Sequence, residues 1–490
     1  MKVKERSIKY NFIMNVILTI SSLIFPLITF PYITRVLLPD GTGSIAFANS
    51  IVIYFSMFAM LGIPTYGIRA CAKVRDNKDE LSRVVQEIFI INIITTTIVC
   101  LFFVFAVFNI PILKQNKELM LISGLYLIFN LFSFEWFYKG LECYTYITKI
   151  SLIFKLLGTI LIFLFVHHKT DYLSYAFISV ISNTGYGIFN FYHVKKYIFY
   201  KTEKYYDFNR HIIPIMTFFA MSVAVVIYTN LDVVMLGLIK NTQEVGYYDI
   251  AIKIKIILVN IVTALGAVVL PRVSYYIEKH KIEDFYSIIT KSFELVSVVS
   301  IPLMIYFIIM ADSSILVLAG DQYRESIKVM KVIMPTLVII GFSNLLGIQI
   351  LIPLEKEKIV VRSELIGAIV NVTLNIYFIP RLGAFGAAIG TLAAESAVLI
   401  IQYKYLQKMI RPVWKNIEIK KIFVALSVSI PLLICIKLFL NTSLLLELII
   451  SSVVFFTSYI VILTVLKESL TVTIIDSLIN KFFLNMFTKS

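Results

Sequence analysis

The sequence predicts an all-α polytopic membrane protein, and its composition and hydropathy carry this prediction. Apolar residues make up 59% of the 490 residues, charged residues make up only 15%, and the mean hydropathy is +0.87. Soluble globular proteins carry about 25% charged residues, and about 20 apolar residues suffice for one membrane-spanning helix. The apolar residues could therefore supply a dozen or more spans, which excludes a water-soluble enzyme.

The hydropathy pattern indicates about 14 transmembrane helices. The apolar segments cover about residues 11–36, 44–64, 84–108, 119–138, 150–166, 173–192, 212–238, 245–270, 288–311, 327–352, 359–380, 384–402, 422–436 and 446–466. The longest polar stretches between them, 193–211 and 403–421, have 19 residues each. No soluble catalytic domain fits into stretches of that length.

The net charge of +15 is explained by where the basic residues lie. With the amino terminus placed in the cytoplasm, 32 of the 45 Lys and Arg residues fall on the cytoplasmic side and 7 on the outer side. Cytoplasmic loops of membrane proteins carry such an excess of basic residues. We therefore expect both termini in the cytoplasm, and basic loops that face anionic lipid and not nucleic acid.

A weak internal repeat suggests two pseudo-symmetric six-helix lobes. Residues 43–48 open the second span and residues 246–251 open the eighth, and each is followed by Leu-Gly, a proline and a cytoplasmic arginine. A chance likeness between apolar helices is the alternative interpretation. The repeat predicts an N-terminal lobe at 1–210, a C-terminal lobe at 211–415, and two extra helices at 416–466. Residues 467–490 have the pattern of an amphipathic helix on the cytoplasmic leaflet.

Several stretches resemble one family of membrane proteins. They are 35–43 (RVLLPDGTG), 61–64 (LGIP), 135–142 (EWFYKGLE), 230–237 (NLDVVMLG), 245–248 (VGYY) and the run 371–390. Together these stretches are similar to polysaccharide-biosynthesis flippases of the Wzx (RfbX) type, in the multidrug/oligosaccharidyl-lipid/polysaccharide exporter superfamily. The resemblance implies a V-shaped pair of six-helix lobes. It also implies transport of an undecaprenyl-diphosphate-linked oligosaccharide between leaflets of the bacterial cytoplasmic membrane, for capsule, O-antigen or exopolysaccharide synthesis.

Basic residues inside the spans are the candidates for binding such a substrate. A Lys, Arg or Asp that faces lipid at mid-helix costs about 2.5–3.5 kcal/mol on the insertion scale, so a buried charge indicates a polar path. The candidate substrate-binding residues are Arg35, Lys155, Lys253 and Lys255. For Lys253, an ion pair with Asp249 or Asp232 is an equal alternative.

Acidic residues and prolines in the spans suggest further roles. Asp232 and Glu395 are candidates for ion coupling or for buried structural acids, whereas Glu87, Glu135, Glu294 and Glu364 lie near cytoplasmic helix ends, from which their carboxylates can reach water. Pro26 and Pro31 predict a kinked first span with a hinge, and a static kink is the alternative. Trp136 and its aromatic neighbours are interpreted as an interfacial belt, with stacking on sugar as the alternative.

No motif predicts an enzyme, a metal site or a cofactor. None of the 19 glycines is followed by lysine, which excludes a Walker A sequence. The alternatives to a flippase are a membrane-embedded glycan polymerase or ligase and a cation-coupled multidrug antiporter of the same superfamily. The expected partners are the lipid-linked oligosaccharide, membrane lipids and other polysaccharide assembly proteins.

Overall fold

A computed structural model describes residues 8–199, 205–264 and 266–472. These residues form helices and connecting loops and contain no strand, which confirms the all-α prediction. The helices are α1 Ile8–Met60, α2 Ile63–Val74, α3 Lys78–Asn109, α4 Pro111–Gln115, α5 Lys117–Leu131, α6 Glu135–Gly140, α7 Tyr144–Phe165, α8 Tyr172–Thr184, α9 Gly187–Val194, α10 Asn209–Ile239, α11 Thr242–Thr263, α12 Gly266–Glu278, α13 Ile282–Ile309, α14 Ala311–Ala319, α15 Glu325–Ile333, α16 Thr336–Asn344, α17 Glu357–Leu382, α18 Ala384–Asn416, α19 Ile419–Phe439 and α20 Leu444–Val465.

Ten of the helical stretches in the described part of the chain are long and apolar enough to cross a membrane. One of them, Ile13–Val74, covers nearly all of the first predicted span and the whole of the second. Many large apolar side chains on these helices are exposed, such as Phe102 and Phe105 at 65% each. Exposed apolar surface on this scale suits contact with lipid and not with water, so the chain is a multi-pass membrane protein.

The chain forms two compact units, Met1–Gly246 and Tyr247–Ser490. The predicted lobe boundary at 210/211 lies just after the start of α10, and the division into lobes at that position stays a prediction. The predicted extra helices at 416–466 correspond to α19 and α20. Residues 473–490, which hold most of the predicted amphipathic tail, lie outside the described residues.

In the first unit, α1 consists of two helices that meet at Leu38. The backbone there has φ 61° and ψ 174°, which no α-helix contains. The first half runs parallel to α7, because residue numbers rise together at three contacts: Met14 with Thr148, Ser21 with Lys155, and Tyr32 with Val166. The second half runs antiparallel to α3, with Ala59 against Thr95 and Phe55 against Phe103.

The two halves of α1 point in opposite directions. The first half of α1 is parallel to α7 and the second half is antiparallel to α3, so the halves are opposed if α3 and α7 point the same way. They do, because α3 is antiparallel to α5, α5 is parallel to the α8–α9 segment, and α8 is antiparallel to α7. The contacts are Phe103 with Gly124, Phe89 with Phe132, Phe129 with Gly187, Ser133 with Asn190, Gly158 with Ser182, and Phe154 with Phe189. The chain therefore turns back at Leu38, between the first two predicted spans.

In the second unit, α19 and α20 pack against each other and α20 packs on α13. Tyr306 of α13 donates to the carbonyl of Leu448, and Tyr459 of α20 donates to that of Val298, which makes these two helices antiparallel. In the first turn of α14, the Asp312 carboxylate accepts hydrogen bonds from Lys437 at 2.9 Å and Lys331 at 3.2 Å. Partial burial raises the pKa of Asp312, but these two lysines hold it below its usual range.

Candidate functional site

Lys155 is a buried cation in the interior of the first unit. Its side chain projects from α7 toward the first half of α1, and the residue is 8% exposed. Its Nζ donates to Ser22 Oγ at 2.7 Å and to Ser21 Oγ at 3.1 Å. No carboxylate of the described residues lies within 4 Å of Nζ. Two neutral hydroxyls compensate only part of the cost of burying an ammonium group, so this position is suited to an incoming anion.

The two serines lie just before the prolines of α1. Pro26 has no backbone N–H, so the carbonyl of Ser22, four residues earlier, lacks its helical donor. The hydroxyls of Thr29 and Thr34 bond back to carbonyls in the preceding turn, at 3.1 Å to Pro26 and 2.9 Å to Phe30. Such bonds bend a helix. Within the described part of α1 the helical backbone angles are interrupted at Leu38 and not at the two prolines, so the kink and the hinge predicted at Pro26 and Pro31 both stay predictions.

A polar cavity of about 200 Å³ lies between the second, fourth and sixth predicted spans of the same unit. Its polar lining includes Tyr126, Asn130, Ser133, Glu135, Asn183 and Tyr186. The Glu135 carboxylate accepts a hydrogen bond from Lys139 Nζ at 2.6 Å and one from the Tyr186 hydroxyl. Glu135 also lies within electrostatic range of Lys155. Lys155 and the cavity are thus neighbouring parts of one polar region.

A break in the fourth predicted span aims Glu135 into this cavity. Helix α5 ends at Leu131, and Phe134 has left-handed backbone angles of φ 48° and ψ 22°. A left-handed residue does not continue an α-helix, so α6 starts in a new direction at Glu135. The predicted single span 119–138 therefore consists of two helices.

The short helix α6 packs closely on α2, and the aromatic residues predicted at the interface form part of this core. Trp136 is 3% exposed and Phe137 and Tyr138 are fully buried. The interpretation of these residues as an interfacial belt was wrong, because the break at Phe134 turns α6 into the protein. A Cβ on Gly67 would lie 2.6 Å from the Trp136 ring, so glycine is required for this approach.

We expect Gly67→Ala to destabilise the first unit by about 1–3 kcal/mol, the usual cost of overpacking a core. The loss is measured as a lower unfolding temperature of the purified protein in detergent, with size-exclusion chromatography used to quantify the protein that stays folded after heating. Trp136→Ala removes all the ring atoms that the new methyl group meets, so the double variant Gly67→Ala/Trp136→Ala should lose less stability than the two single changes added together. Additive losses would contradict the proposed contact.

The other predicted substrate-binding residues have different surroundings. Arg35 is exposed, and its Nη1 donates to the carbonyl of Pro31 at 2.7 Å. Lys253 forms an ion pair with Asp249 at 2.5 Å, one turn earlier on α11, and 48% of its side chain is exposed. Lys255 is half-buried. The structure thus contains the intrahelical alternative proposed for Lys253, and substrate binding by these three residues stays a prediction.

The two candidate coupling acids are buried in separate units. Asp232 of α10 is 6% exposed and lies within electrostatic range of Tyr54, in the first unit. Glu395 of α18, in the second unit, is 8% exposed. Their burial agrees with either a structural or a coupling role.

Sequence reasoning underestimated Glu87, which lies at the centre of a buried ion network. We expected its carboxylate to reach water, but its side chain is fully buried. It accepts hydrogen bonds from Arg83 at 3.0 Å, Arg210 at 2.6 Å, His211 at 2.7 Å and the backbone N–H of Asp207 at 2.6 Å. The segment 205–211 folds over the start of α3 and excludes water from Glu87. In the sequence, the adjacent Arg210 and His211 just before the seventh predicted span could have indicated basic partners for a buried carboxylate.

His211 of this network is 1% exposed. Its Nδ1 lies 2.6 Å from the hydroxyl of Tyr66, and its Nε2 lies 2.7 Å from Glu87. Burial lowers the pKa of His211, and the neighbouring Glu87 carboxylate opposes this shift only in part. These contacts fit a neutral imidazole that donates to Glu87 and accepts from Tyr66.

The chain is similar in sequence to several proteins of polysaccharide export. The family described as "Polysaccharide biosynthesis protein" matches residues 8–277, and the MatE family matches residues 217–377. A "Putative O-antigen transporter" of Escherichia coli K12 is 24% identical over 415 residues, which cover 83% of this chain and 98% of that protein. "Probable flippase AglR" of Haloferax volcanii is 26% identical over 187 residues, or 38% of this chain and 39% of that protein.

Solved structures of transporters share the fold. The lipid II flippase MurJ, in an inward closed conformation, has a TM-score of 0.71 at 15% identity, with 94% of this chain and 99% of that chain covered. An inward-facing multidrug transporter of the MATE family has a TM-score of 0.60 at 12% identity, with 82% and 99% covered. At these identities the likeness shows the fold alone.

Proposed function

Since the chain belongs to the polysaccharide biosynthesis protein family, as a Wzx-type flippase for polysaccharide precursors, we propose that it moves undecaprenyl-diphosphate-linked oligosaccharide repeat units across the membrane. The movement is from the inner to the outer leaflet of the bacterial cytoplasmic membrane, for capsule, O-antigen or exopolysaccharide synthesis. The observation that carries this proposal is Lys155, a buried cation whose nearest partners are two serine hydroxyls.

The chemistry of Lys155 favours a diphosphate as its ligand. A diphosphate on a lipid anchor must leave water to cross about 30 Å of hydrocarbon, and a charge-assisted hydrogen bond from a buried ammonium lowers that cost. Ser21 and Ser22 can keep their bonds to Nζ or rotate toward the phosphate oxygens, because hydroxyls both donate and accept. Lys155 therefore gains an anionic partner without losing a strong ion pair. Arg35, Lys253 and Lys255 are proposed as further contacts.

We propose that transport proceeds by alternating access of the two lobes. Pro26 and Pro31 provide the hinge of the first span beside Ser22. Because the sequence has no Walker A motif, an ion gradient or the substrate gradient supplies the energy, and Asp232 and Glu395 are the candidate coupling acids. Membrane lipids and other polysaccharide assembly proteins are the proposed partners.

The proposed topology has fourteen spans in two six-helix lobes with two extra C-terminal helices and both termini in the cytoplasm. The bias of basic residues toward one side supports this orientation. The alternation of helix directions around the first unit, including the turn at Leu38, supports the first six spans.

The alternative functions have less support. The relatives are described as transporters and flippases, which favours transport over a glycan polymerase or ligase. The fold is shared with multidrug transporters, but the charge of Lys155 favours an anionic substrate over a cationic drug.

Transport by the purified protein tests the proposal directly. We expect proteoliposomes that contain the protein to move a fluorescent undecaprenyl-diphosphate glycan between leaflets without ATP, because the lipid tail can remain in the bilayer while the headgroup follows the polar region. Accessibility of the label to a membrane-impermeant quencher measures the movement. Empty liposomes are the control. Movement no faster than in empty liposomes, with or without an imposed ion gradient, would refute the proposal.

A further inference from the structure

The polar cavity beside Lys155 has hydrogen-bonding capacity that the protein itself does not use. Asn183 Nδ2 donates to the carbonyl of Ser179 at 2.9 Å and Asn130 Nδ2 donates to Ser56 Oγ at 3.4 Å. Within the described part of the chain, the Oδ1 atoms of both amides and the hydroxyl of Tyr126 have no hydrogen-bond partner. Three polar groups are thus available to a ligand.

Contacts within the protein orient two further polar side chains of the cavity wall, Glu135 and Tyr186. Glu135 is fixed by Lys139 and Tyr186, which leaves its carboxylate in one orientation. Tyr186 is 7% exposed, and its ring packs against that of Phe154 with centroids 6.4 Å apart. A preorganised polar site of this kind binds its ligand without the cost of ordering side chains.

The chemistry and size of the cavity suit a single sugar ring. Ring hydroxyls both donate and accept, and they match a lining of amide oxygens, hydroxyls, one carboxylate and the ammonium group of Lys139. Pockets for drug-sized ligands measure about 300–1,000 Å³, whereas this cavity measures about 200 Å³. It can therefore hold one ring but not an oligosaccharide.

The position of the cavity indicates which sugar it holds. Phe154, which contacts Tyr186 of the cavity wall, is the residue before Lys155, and Glu135 lies within electrostatic range of Lys155. In a lipid-linked glycan the first sugar is bonded directly to the diphosphate. A diphosphate at Lys155 would therefore present its first sugar to the cavity.

We propose that this cavity is a specificity subsite for the sugar attached directly to the diphosphate of the transported lipid. The inference rests on the proposed function, in which Lys155 binds the diphosphate. The subsite distinguishes substrates by hydrogen bonds to the hydroxyl or acetamido groups of that one ring. A sugar whose hydroxyl or acetamido groups are placed differently loses these hydrogen bonds, which lowers its rate of transport.

Transport of lipids that differ only in this sugar tests the inference. The probes are undecaprenyl diphosphate alone and undecaprenyl diphosphate bearing one glucose, galactose or N-acetylglucosamine. We expect the wild-type protein to move the sugar-bearing probes at different rates. In Asn183→Ala and Asn130→Ala, movement of the preferred probe should fall about fivefold to tenfold, the effect of one or two hydrogen bonds, while the sugar-free probe is unaffected. The matched control Asn109→Ala removes an exposed asparagine at the end of α3 and should change neither rate.

A binding measurement gives a second readout. The chain has two tryptophans, so Trp414→Phe leaves Trp136, in the cavity wall, as the single tryptophan, whose emission can be excited selectively over that of the tyrosines. The preferred sugar-bearing probe should shift its emission, the sugar-free probe should not, and Asn183→Ala should abolish the shift.

The possible outcomes separate the two proposals. If no probe, with or without sugar, moves faster than in empty liposomes, the proposed function fails. If all probes move at the same rate, or if the cavity variants slow the sugar-free probe as much as the preferred one, transport stands and the subsite is refuted. An emission shift that persists in Asn183→Ala would also refute it.

Discussion

The Lys155→Met variant should unfold at a higher temperature than the wild-type protein and yet move lipid-linked glycan at least tenfold more slowly. Methionine has a similar length and no charge, so it removes the cost of burying an ammonium group that only Ser21 and Ser22 partner. The same change removes the proposed contact with the diphosphate. A hydrogen bond to a charged group contributes about 1.5–3 kcal/mol, and each 1.4 kcal/mol corresponds to tenfold in affinity.

A higher unfolding temperature combined with slower transport would identify Lys155 as a binding residue, because the loss of a structural residue lowers the unfolding temperature. Thermal unfolding in detergent measures the first effect, and leaflet-to-leaflet movement in proteoliposomes measures the second. Lys155→Arg keeps the charge and should retain more transport than Lys155→Met. Lys114→Met, at an exposed lysine of α4, is the matched control and should change neither quantity. A Lys155→Met protein that is less stable and fully active would show that Lys155 is structural.

The second large effect is expected at Glu87. Glu87→Ala leaves Arg83, Arg210 and His211 without their common acceptor in a site from which water is excluded. Removing one partner of a buried ion network costs about 3–5 kcal/mol. We therefore expect a marked loss of thermal stability and of the yield of monodisperse protein.

A graded series of substitutions tests the cause of this loss. Glu87→Gln keeps a hydrogen-bond acceptor of the same size but removes the charge, so it should be less destabilising than Glu87→Ala. Glu118→Ala removes an exposed carboxylate from the first turn of α5 and should have little effect. If Glu87→Ala were as stable as Glu118→Ala, the network would contribute nothing measurable to folding.

The helices could be predicted from the sequence because the membrane restricts the choice of structure. Every backbone polar group in hydrocarbon must be bonded within the protein, which leaves helices for long apolar segments. The same physics singled out Lys155, since a lone cation in the apolar segment 150–166 requires a polar environment. For both features the information is local, in a stretch of about 20 residues.

The surroundings of the charged residues could not be predicted in the same way. Glu87 and Glu135 both lie near the cytoplasmic ends of their predicted spans, so the same access to water was expected for both carboxylates. Their actual environments depend on segments distant in the chain, 205–211 for Glu87 and α8 with its following turn for Glu135. Membrane helices that are apolar on all sides show little periodicity, so the face that each helix turns inward is not encoded in its own pattern.

The sequence by itself determined that this protein is a multi-pass helical membrane protein, that its basic loops favour one orientation, and that Lys155 is one of a few cations within the apolar segments. Composition and hydropathy suffice for these conclusions because transfer free energies add residue by residue. Only the tertiary structure decided that Lys253 pairs with Asp249, that Glu87 is enclosed, and that the break at Phe134 aims Glu135 into a cavity beside Lys155. The Lys253–Asp249 pair forms within one turn of α11, whereas the other two features depend on contacts between segments far apart in the chain, which no local sum of residue energies contains.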